Sequence, residues 1–233
     1  MLGRIKLELT SKYNFWKLAR SQLKLSELDS FEFVYKMSGV NTILYKTQDE
    51  LREAAFNFRP KSGLLMEFGV FKGHTINNFA RLAAEQGDSR DIYGFDSFVG
   101  FSEAWAGIEK IFPSSRFDRK GEQPKVFSNV KLIDGFIEET LPKFISQTDV
   151  ESVAFIHIDT DTFTPAYTVL NNLKPFLKKN SVILFDELCG YPNWRSHEWR
   201  ALEKVFEAGE YEFMGFSVGA RRPNLMNAAI RLL

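Results

Sequence analysis

The stretch LLMEFGVFKGHT, residues 64–75, decides the fold, because an apolar run passes directly into a glycine-rich segment and then into a helical pattern. Its spacing is E-x-G-x-x-x-G, from Glu67 through Gly69 to Gly73. Glycines let the backbone approach a ligand closely, and the free N–H groups at a helix start favour an anion. The stretch therefore predicts a strand, a ligand-binding turn and a helix that offers the hydroxyl of Thr75 beside the anion; taken alone, it could equally be a plain strand-to-helix turn.

Downstream of this turn, short apolar runs alternate with helical patterns. Strands that alternate with helices of this length indicate a parallel sheet covered by helices on both faces. The last two runs have only a turn-like segment, 220–224, between them, which predicts an antiparallel hairpin. The runs after the first are 91–96, 130–134, 152–159, 181–187, 211–219 and 226–233, and the helical patterns are 75–86, 138–147, 166–178 and 197–208.

Residues 1–60 have a different character and are expected to form a helical segment that packs on a core domain, 61–233. Apolar positions at helical spacing predict two or three helices, the last from about Thr47 to Asn57, and an earlier one could start at Asp29-Ser30. The aromatic content of this segment exceeds that of a free tail. We therefore expect it to contribute to a homodimer.

Composition limits the classes of partner and compartment. The 30 basic and 30 acidic residues balance, so charge gives no argument for a nucleic-acid or membrane partner. Cys189 is the only cysteine, which excludes an intrachain disulfide. The N-terminal sequence lacks the apolar core of a signal peptide, and no run of about 18 apolar residues could span a bilayer. The expectation is a cytoplasmic protein.

Acidic and aromatic residues follow the second and third predicted strands. Asp96 ends the second strand, where a carboxylate can accept hydrogen bonds from both hydroxyls of a ribose; alone, it could equally be a turn residue. Gly135 and Phe136 follow the third strand, where an adenine could lie against them. The alternative is that Gly135 only makes a turn and Phe136 only fills the core.

Carboxylates also follow the fourth and fifth strands: Asp159 and Asp161, then Asp186 and Glu187. Carboxyl ends of parallel strands meet at one edge of a sheet, so these groups would repel one another unless a positive charge lies among them. A hard cation such as Mg²⁺, with oxygen ligands, would supply that charge. For Asp161, capping of the next helix is the better interpretation. His197 is a candidate general base.

Five ordered stretches carry a family resemblance: EFGVFKG, YGFDSFVGF, VKLIDGFIEETLP, FIHIDTDTFTPAYTVL and VILFDELCGYPNWRSHEWRAL. From about residue 63 to the end, the chain resembles the macrocin-type O-methyltransferases, class I enzymes that methylate sugars of macrolide antibiotics. The resemblance implies a Rossmann-like α/β fold with a seven-stranded sheet, order 3-2-1-4-5-7-6, whose last strand is antiparallel. It also implies S-adenosylmethionine as the methyl donor.

The resemblance also implies roles for individual residues. The methionine end of the donor would lie on Glu67, Gly69, Gly73 and Thr75, its ribose on Asp96 and Ser97, and its adenine near Gly135 and Phe136. A larger side chain at Gly69 would then occupy the donor's place while the fold survives. Asp159, Asp186 and Glu187 match positions where the family holds Mg²⁺. Thr162 is a departure, because related catechol-type enzymes have a lysine base there. The candidate catalytic residues are Asp159, Asp186 and His197.

The expected function is therefore methyl transfer from S-adenosylmethionine to a hydroxyl of a small molecule or sugar, assisted by a divalent metal. Two alternatives stay open at this point. One is an NAD(P)-dependent oxidoreductase, although E-x-G-x-x-x-G differs from the dinucleotide spacing G-x-G-x-x-G. The other is a module that binds the donor without catalysis, against which the retained carboxylates argue.

Overall fold

Eight strands form a single mixed sheet in the computed structural model, which describes residues 21–101, 114–218 and 226–233. The predicted turn 220–224 lies outside the described residues. The strands are β1 (Ile43–Tyr45), β2 (Leu64–Phe68), β3 (Ile92–Asp96), β4 (Val130–Asp134), β5 (Val153–Ile158), β6 (Leu177–Cys189), β7 (Tyr211–Ser217) and β8 (Met226–Leu232).

The strand order is β4-β3-β2-β5-β6-β8-β7-β1. Strands β4 to β6 in this order run parallel, and β8 is antiparallel to both of its neighbours. If β2 is counted as the first strand and β8 as the seventh, the order reads 3-2-1-4-5-7-6. The predicted strand order and the antiparallel last strand are therefore confirmed. The short β1, which pairs in parallel with β7, was not predicted, because three residues carry too little periodicity to be recognised.

Helices cover both faces of the sheet, and each face has its own apolar core. On one face, α1 packs with α4, α5 and α6; on the other, α2 and α3 pack through Leu51, Phe56 and Phe79. No helix in the described parts of the chain combines the length and apolar character that a bilayer crossing needs. The helices are α1 (described over 21–37), α2 (Gln48–Phe58), α3 (His74–Glu85), α4 (Ile137–Gln147), α5 (Phe163–Leu173) and α6 (Glu198–Val205).

The N-terminal helices join the domain at two places. The predicted 47–57 helix is α2, which begins after Thr47 with a capping box formed by Thr47 and Glu50. In α1, Phe33 is buried against Trp194 and Trp199. The predicted helix start at Asp29-Ser30 is wrong, because α1 runs through both residues. The homodimer stays a prediction.

The turn after β2 depends on a close backbone approach between Gly69 and Asp159. The Asp159 N–H donates to the Phe68 carbonyl at 2.8 Å, and the Gly69 N–H donates to the Phe95 carbonyl at 2.9 Å. Gly69 has a φ of +91°, and a Cβ atom on it would lie 1.8 Å from the carbonyl oxygen of Asp159. A side chain at position 69 therefore pushes the ends of β2 and β5 apart, contrary to the expectation that the fold survives a larger residue unharmed.

We expect Gly69→Ala to lower the free energy of unfolding by more than about 2 kcal/mol, because it adds a backbone collision to an unfavourable φ. Urea denaturation measures this loss. The matched control is Gly87→Ala, since Gly87 also has a positive φ, +69°, but its Cβ would meet nothing within 4 Å. The control should lose only about 1–2 kcal/mol, the conformational part. Equal losses in the two variants would contradict the backbone collision.

Candidate active site

A cleft of about 700 Å³, including the part open to solvent, lies beyond the carboxyl ends of β2, β3, β4 and β5. Small-molecule sites of open α/β sheets lie at this end of the sheet. Five of the predicted residues line the cleft: Gly69, Asp96, Ser97, Phe136 and Asp159. The other lining residues include Phe71, Phe101, Phe117, Thr160, Asp161 and Thr162.

Asp96 ties the glycine turn to the end of β3. One carboxylate oxygen accepts the backbone N–H groups of Val70 at 2.8 Å and Phe71 at 2.7 Å, and the other accepts that of Phe98 at 2.7 Å. Asp96 is thus a turn-fixing residue that also faces the cleft. Carboxylate oxygens have further lone pairs, so these bonds leave room for ribose hydroxyls.

Aromatic rings form a large part of the cleft wall. Phe117 packs edge-on against Phe71 at 5.2 Å and against Phe101 at 5.0 Å between ring centroids. Phe136 precedes α4 and keeps 36% of its surface exposed at the cleft. The exposed ring of Phe136 suits a flat heterocycle such as adenine.

Four residues predicted to hold the donor do not line the cleft: Glu67, Gly73, Thr75 and Gly135. Gly73 has a φ of +74° at the start of α3, and Gly135 donates its N–H to the Asp96 carbonyl at 3.0 Å. The Glu67 side chain is fully buried and bonds His157 Nδ1 at 3.0 Å, while the His157 ring packs against Phe79 of α3. Their donor contacts stay predictions.

Asp186 lies beside Asp159 but is already paired with a cation from the N-terminal segment. Ligand atoms of His157, Asp159 and Asp186 lie within 4.8 Å of one another. The Oδ1 atom of Asp186 accepts a hydrogen bond from Arg52 Nη2 and another, of 2.6 Å, from Asn227 Nδ2. Burial alone would raise the pKa of Asp186, but Arg52 and His157 overcome this effect and hold it below its usual value.

The remaining carboxyl groups crowd together with less compensation. Burial, with the neighbouring charges of Asp186 and Asp161, raises the pKa of Asp159 well above its usual value. Burial and the neighbouring Asp161 do the same for Glu187, whose buried Oε2 atom has no hydrogen-bond partner in the described parts of the chain. Burial next to Asp161 raises the pKa of Glu198 to about 8. The group therefore favours either protons or an added cation.

The predicted helix-capping role of Asp161 is wrong. Thr162 occupies the N-cap position of α5, whereas Asp161 has a positive φ of 59° and its carboxyl joins the acidic group. Thr162 lines the cleft at the position of the missing lysine. His197 is buried before α6, with its ring centroid 6.0 Å from that of Tyr191, and it does not line the cleft. Its role as a base stays a prediction.

Sequence reasoning did not find Arg52 or Asn227. Arg52 lies 134 residues from Asp186 in the chain and Asn227 lies 41 residues away, so no local pattern connects them with it. The sequence offers one weak signal for Arg52, which is that a basic residue follows the apolar Leu51 on an amphipathic helix.

Comparisons with known proteins agree with this geometry. A methyltransferase-domain family matches residues 66–188, more than half of the 233 residues. A crystal structure of CalS11, a calicheamicin methyltransferase, has a TM-score of 0.61 at 25% identity and covers 79% of this chain and 78% of its own. Apo CalS11, described as a TDP-rhamnose 3'-O-methyltransferase, has a TM-score of 0.56 at 27% identity over 78% and 77% of the two chains.

The O-methyltransferase NovP shares the fold, with a TM-score of 0.56 at 17% identity over 78% of each chain. No curated protein matches this chain. The family match decides against the nicotinamide-dependent alternative. With a glycine turn, an acidic end of β3 and a cleft between them, this chain belongs to the methyltransferase-domain family and is a class I S-adenosylmethionine-dependent methyltransferase.

Proposed function

We propose that this methyltransferase acts on a hydroxyl group of a small molecule or sugar and that a divalent cation such as Mg²⁺ assists it. One observation carries the proposal: the cleft that contains Gly69, Asp96 and Phe136 continues to the carboxylates of Asp159 and Asp161. A donor on the first three residues would therefore point its reactive end toward groups that can hold a hydroxyl.

The class of acceptor rests on the relatives. CalS11, at 25–27% identity, is described as an O-methyltransferase of TDP-rhamnose, and NovP is described as an O-methyltransferase. A sugar hydroxyl is accordingly the first acceptor to test. The choice is an analogy between related proteins, because a shared fold supports many acceptors.

In-line displacement of the sulfonium methyl asks mainly for alignment of two substrates, which is worth up to about 7–11 kcal/mol. Asp96 and the glycine turn would hold the donor, and the aromatic wall would exclude water. Asp159 is the favoured acceptor of the hydroxyl proton, because it lines the cleft, whereas Asp186 and His197 do not.

The residues present fit a hard cation. They offer carboxylate oxygens, and burial together with the neighbouring carboxylates raises the pKa of Asp159 and Glu187. Glu187 also keeps one buried oxygen that has no hydrogen-bond partner among the described residues. Asp159, Asp186 and Glu187 would hold the ion. Asp159 and Asp186, with His157, have ligand atoms within 4.8 Å of one another, and Glu187 is not part of that group. When bound, a divalent cation would lower the pKa of the acceptor hydroxyl.

A turnover assay separates an enzyme from a donor-binding module. The protein is incubated with S-adenosylmethionine and a panel of free sugars, nucleotide sugars and small phenols, and S-adenosylhomocysteine is quantified. We expect S-adenosylhomocysteine to form only when one particular acceptor is present. NMR of the product should then locate the new methyl group on an oxygen. Donor binding without turnover across the panel would contradict the proposal and favour the module.

For Asp96, we expect Asp96→Ala to weaken S-adenosylhomocysteine binding by about tenfold or more, because charged hydrogen bonds contribute about 1.5–3 kcal/mol each. Titration calorimetry measures the affinity. Asp96→Asn retains one acceptor oxygen for the backbone N–H groups and should lose less. Asp91→Ala, which removes a partly exposed acid just before the same strand, is the control with unchanged affinity. A twofold loss or less in Asp96→Ala would show that Asp96 only shapes the turn.

For the metal, we expect EDTA treatment to lower turnover at least tenfold and added Mg²⁺ or Mn²⁺ to restore it. The physical reason is that the crowded carboxylates repel one another without a cation. Calorimetry with S-adenosylhomocysteine is the control, since chelation should leave donor affinity unchanged. Full activity of the chelated enzyme would remove the metal from the proposal and leave Asp159 to accept the proton directly.

A further inference from the structure

Side chains from three separate parts of the chain converge on a single oxygen of Asp186. Its Oδ1 atom accepts from Arg52 of α2 and from Asn227 of β8, and it lies 3.6 Å from Nε2 of His157 in β5. The ion pair between Arg52 and Asp186 is almost buried, with side-chain exposures of 14% and 12%. A charged contact at this depth is strong only if its geometry is held firmly.

Arg52 is held firmly by its helix. The capping box of Thr47 and Glu50 sets the start of α2, and Leu51 and Ala55 anchor the helix to the sheet. A second guanidinium nitrogen, Nη1, donates to Asp49 at 3.1 Å. The planar fork therefore spans one exposed and one buried carboxylate, which the point charge of a lysine cannot do.

Asn227 is fixed from the opposite side of Asp186. Its side-chain oxygen accepts from the Ser217 hydroxyl at 3.0 Å, and its backbone N–H donates to the same hydroxyl oxygen at 3.2 Å. This orients the amide so that its nitrogen faces Asp186. Both Arg52 and Asn227 lie outside residues 66–188, the part of the chain that matches the methyltransferase family.

We propose that Arg52 is a positioning residue, which together with Asn227 clamps Oδ1 of Asp186 and leaves Oδ2 as the oxygen available to a divalent cation. The proposal rests on the proposed function, in which Asp186 is one of the residues that would hold the cation. It makes α2 a part of the active site, although Arg52 does not line the cleft.

The contact with Arg52 also reduces the repulsion between two neighbouring carboxylates. Asp159 and Asp186 end adjacent parallel strands, and two buried carboxylates at this distance repel each other. Arg52 acts on both charges, directly on Asp186 and at longer range on Asp159. One fixed cation therefore lets Asp186 keep its orientation whether or not a metal ion is bound.

The kinetic test compares Arg52→Gln and Arg52→Lys with the wild type. In Arg52→Gln, kcat should fall at least tenfold, while the KM for the donor and the affinity for S-adenosylhomocysteine change less than twofold. Arg52→Lys restores the charge without the fork and should recover part of kcat. Arg81→Gln is the matched control, because Arg81 is an exposed helical arginine paired with Glu85. A lower melting temperature with kcat kept within twofold would overturn the proposal, since it marks a purely structural residue.

Crystal structures of the wild type and Arg52→Gln with S-adenosylhomocysteine test the clamp without any acceptor. In the variant, the Asp186 carboxylate is expected to rotate from its wild-type orientation and to lose its hydrogen bond with Asn227. An unchanged carboxylate would overturn the proposal. If Arg52→Gln does not fold, the same comparison is made with Arg52→Lys, where a shift of Asp186 is again expected. A wild type that binds S-adenosylhomocysteine but methylates nothing would end the proposed function, while the crystal comparison would still decide the clamp.

Discussion

Buried negative charge at the carboxyl ends of β5 and β6 is the constraint on which the rest of the site depends. Asp159, Asp186, Glu187 and Glu198 are buried or half-buried around Asp161, and desolvation works against every ionised member. Among the described residues, Arg52 and His157 act on the charge of Asp186. Burial and the neighbouring carboxylates raise the pKa values of Asp159, Glu187 and Glu198, and a bound hard cation would offset the repulsion between the ionised groups.

The donor side of the cleft is tied to this acidic group through the backbone. Gly69 lies so close to Asp159 that a β-carbon does not fit between them, and Asp96 holds the turn that follows Gly69. Parallel strand order brings these ends to the same edge of the sheet. The ends of β2 and β5 therefore hold the glycine turn and the acidic group at a fixed separation.

Two segments that are far apart in the sequence, α2 and β8, both contact the Asp186 side chain. Arg52 comes from α2, which precedes β2, and Asn227 comes from the antiparallel β8. Strand β8 lies next to β6, so insertion of the last strand into the sheet, rather than at its edge, is what brings Asn227 to Asp186. The hairpin that distinguishes this fold thereby contributes to the organisation of the carboxylates.

Local periodicity in the sequence determined the seven long strands and the antiparallel character of the last pair, and the family resemblance supplied their order in the sheet. The rule that parallel strands end at a common edge determined the end of the sheet that carries the cleft and the meeting of Asp159 with Asp186. Tertiary structure alone decided that Glu67 turns away to His157, that Asp161 joins the acidic group instead of capping α5, and that Arg52 reaches Asp186. The reason is physical: a side chain's partner depends on which face it points to and on which distant segment packs there, and neither is written in the residues next to it.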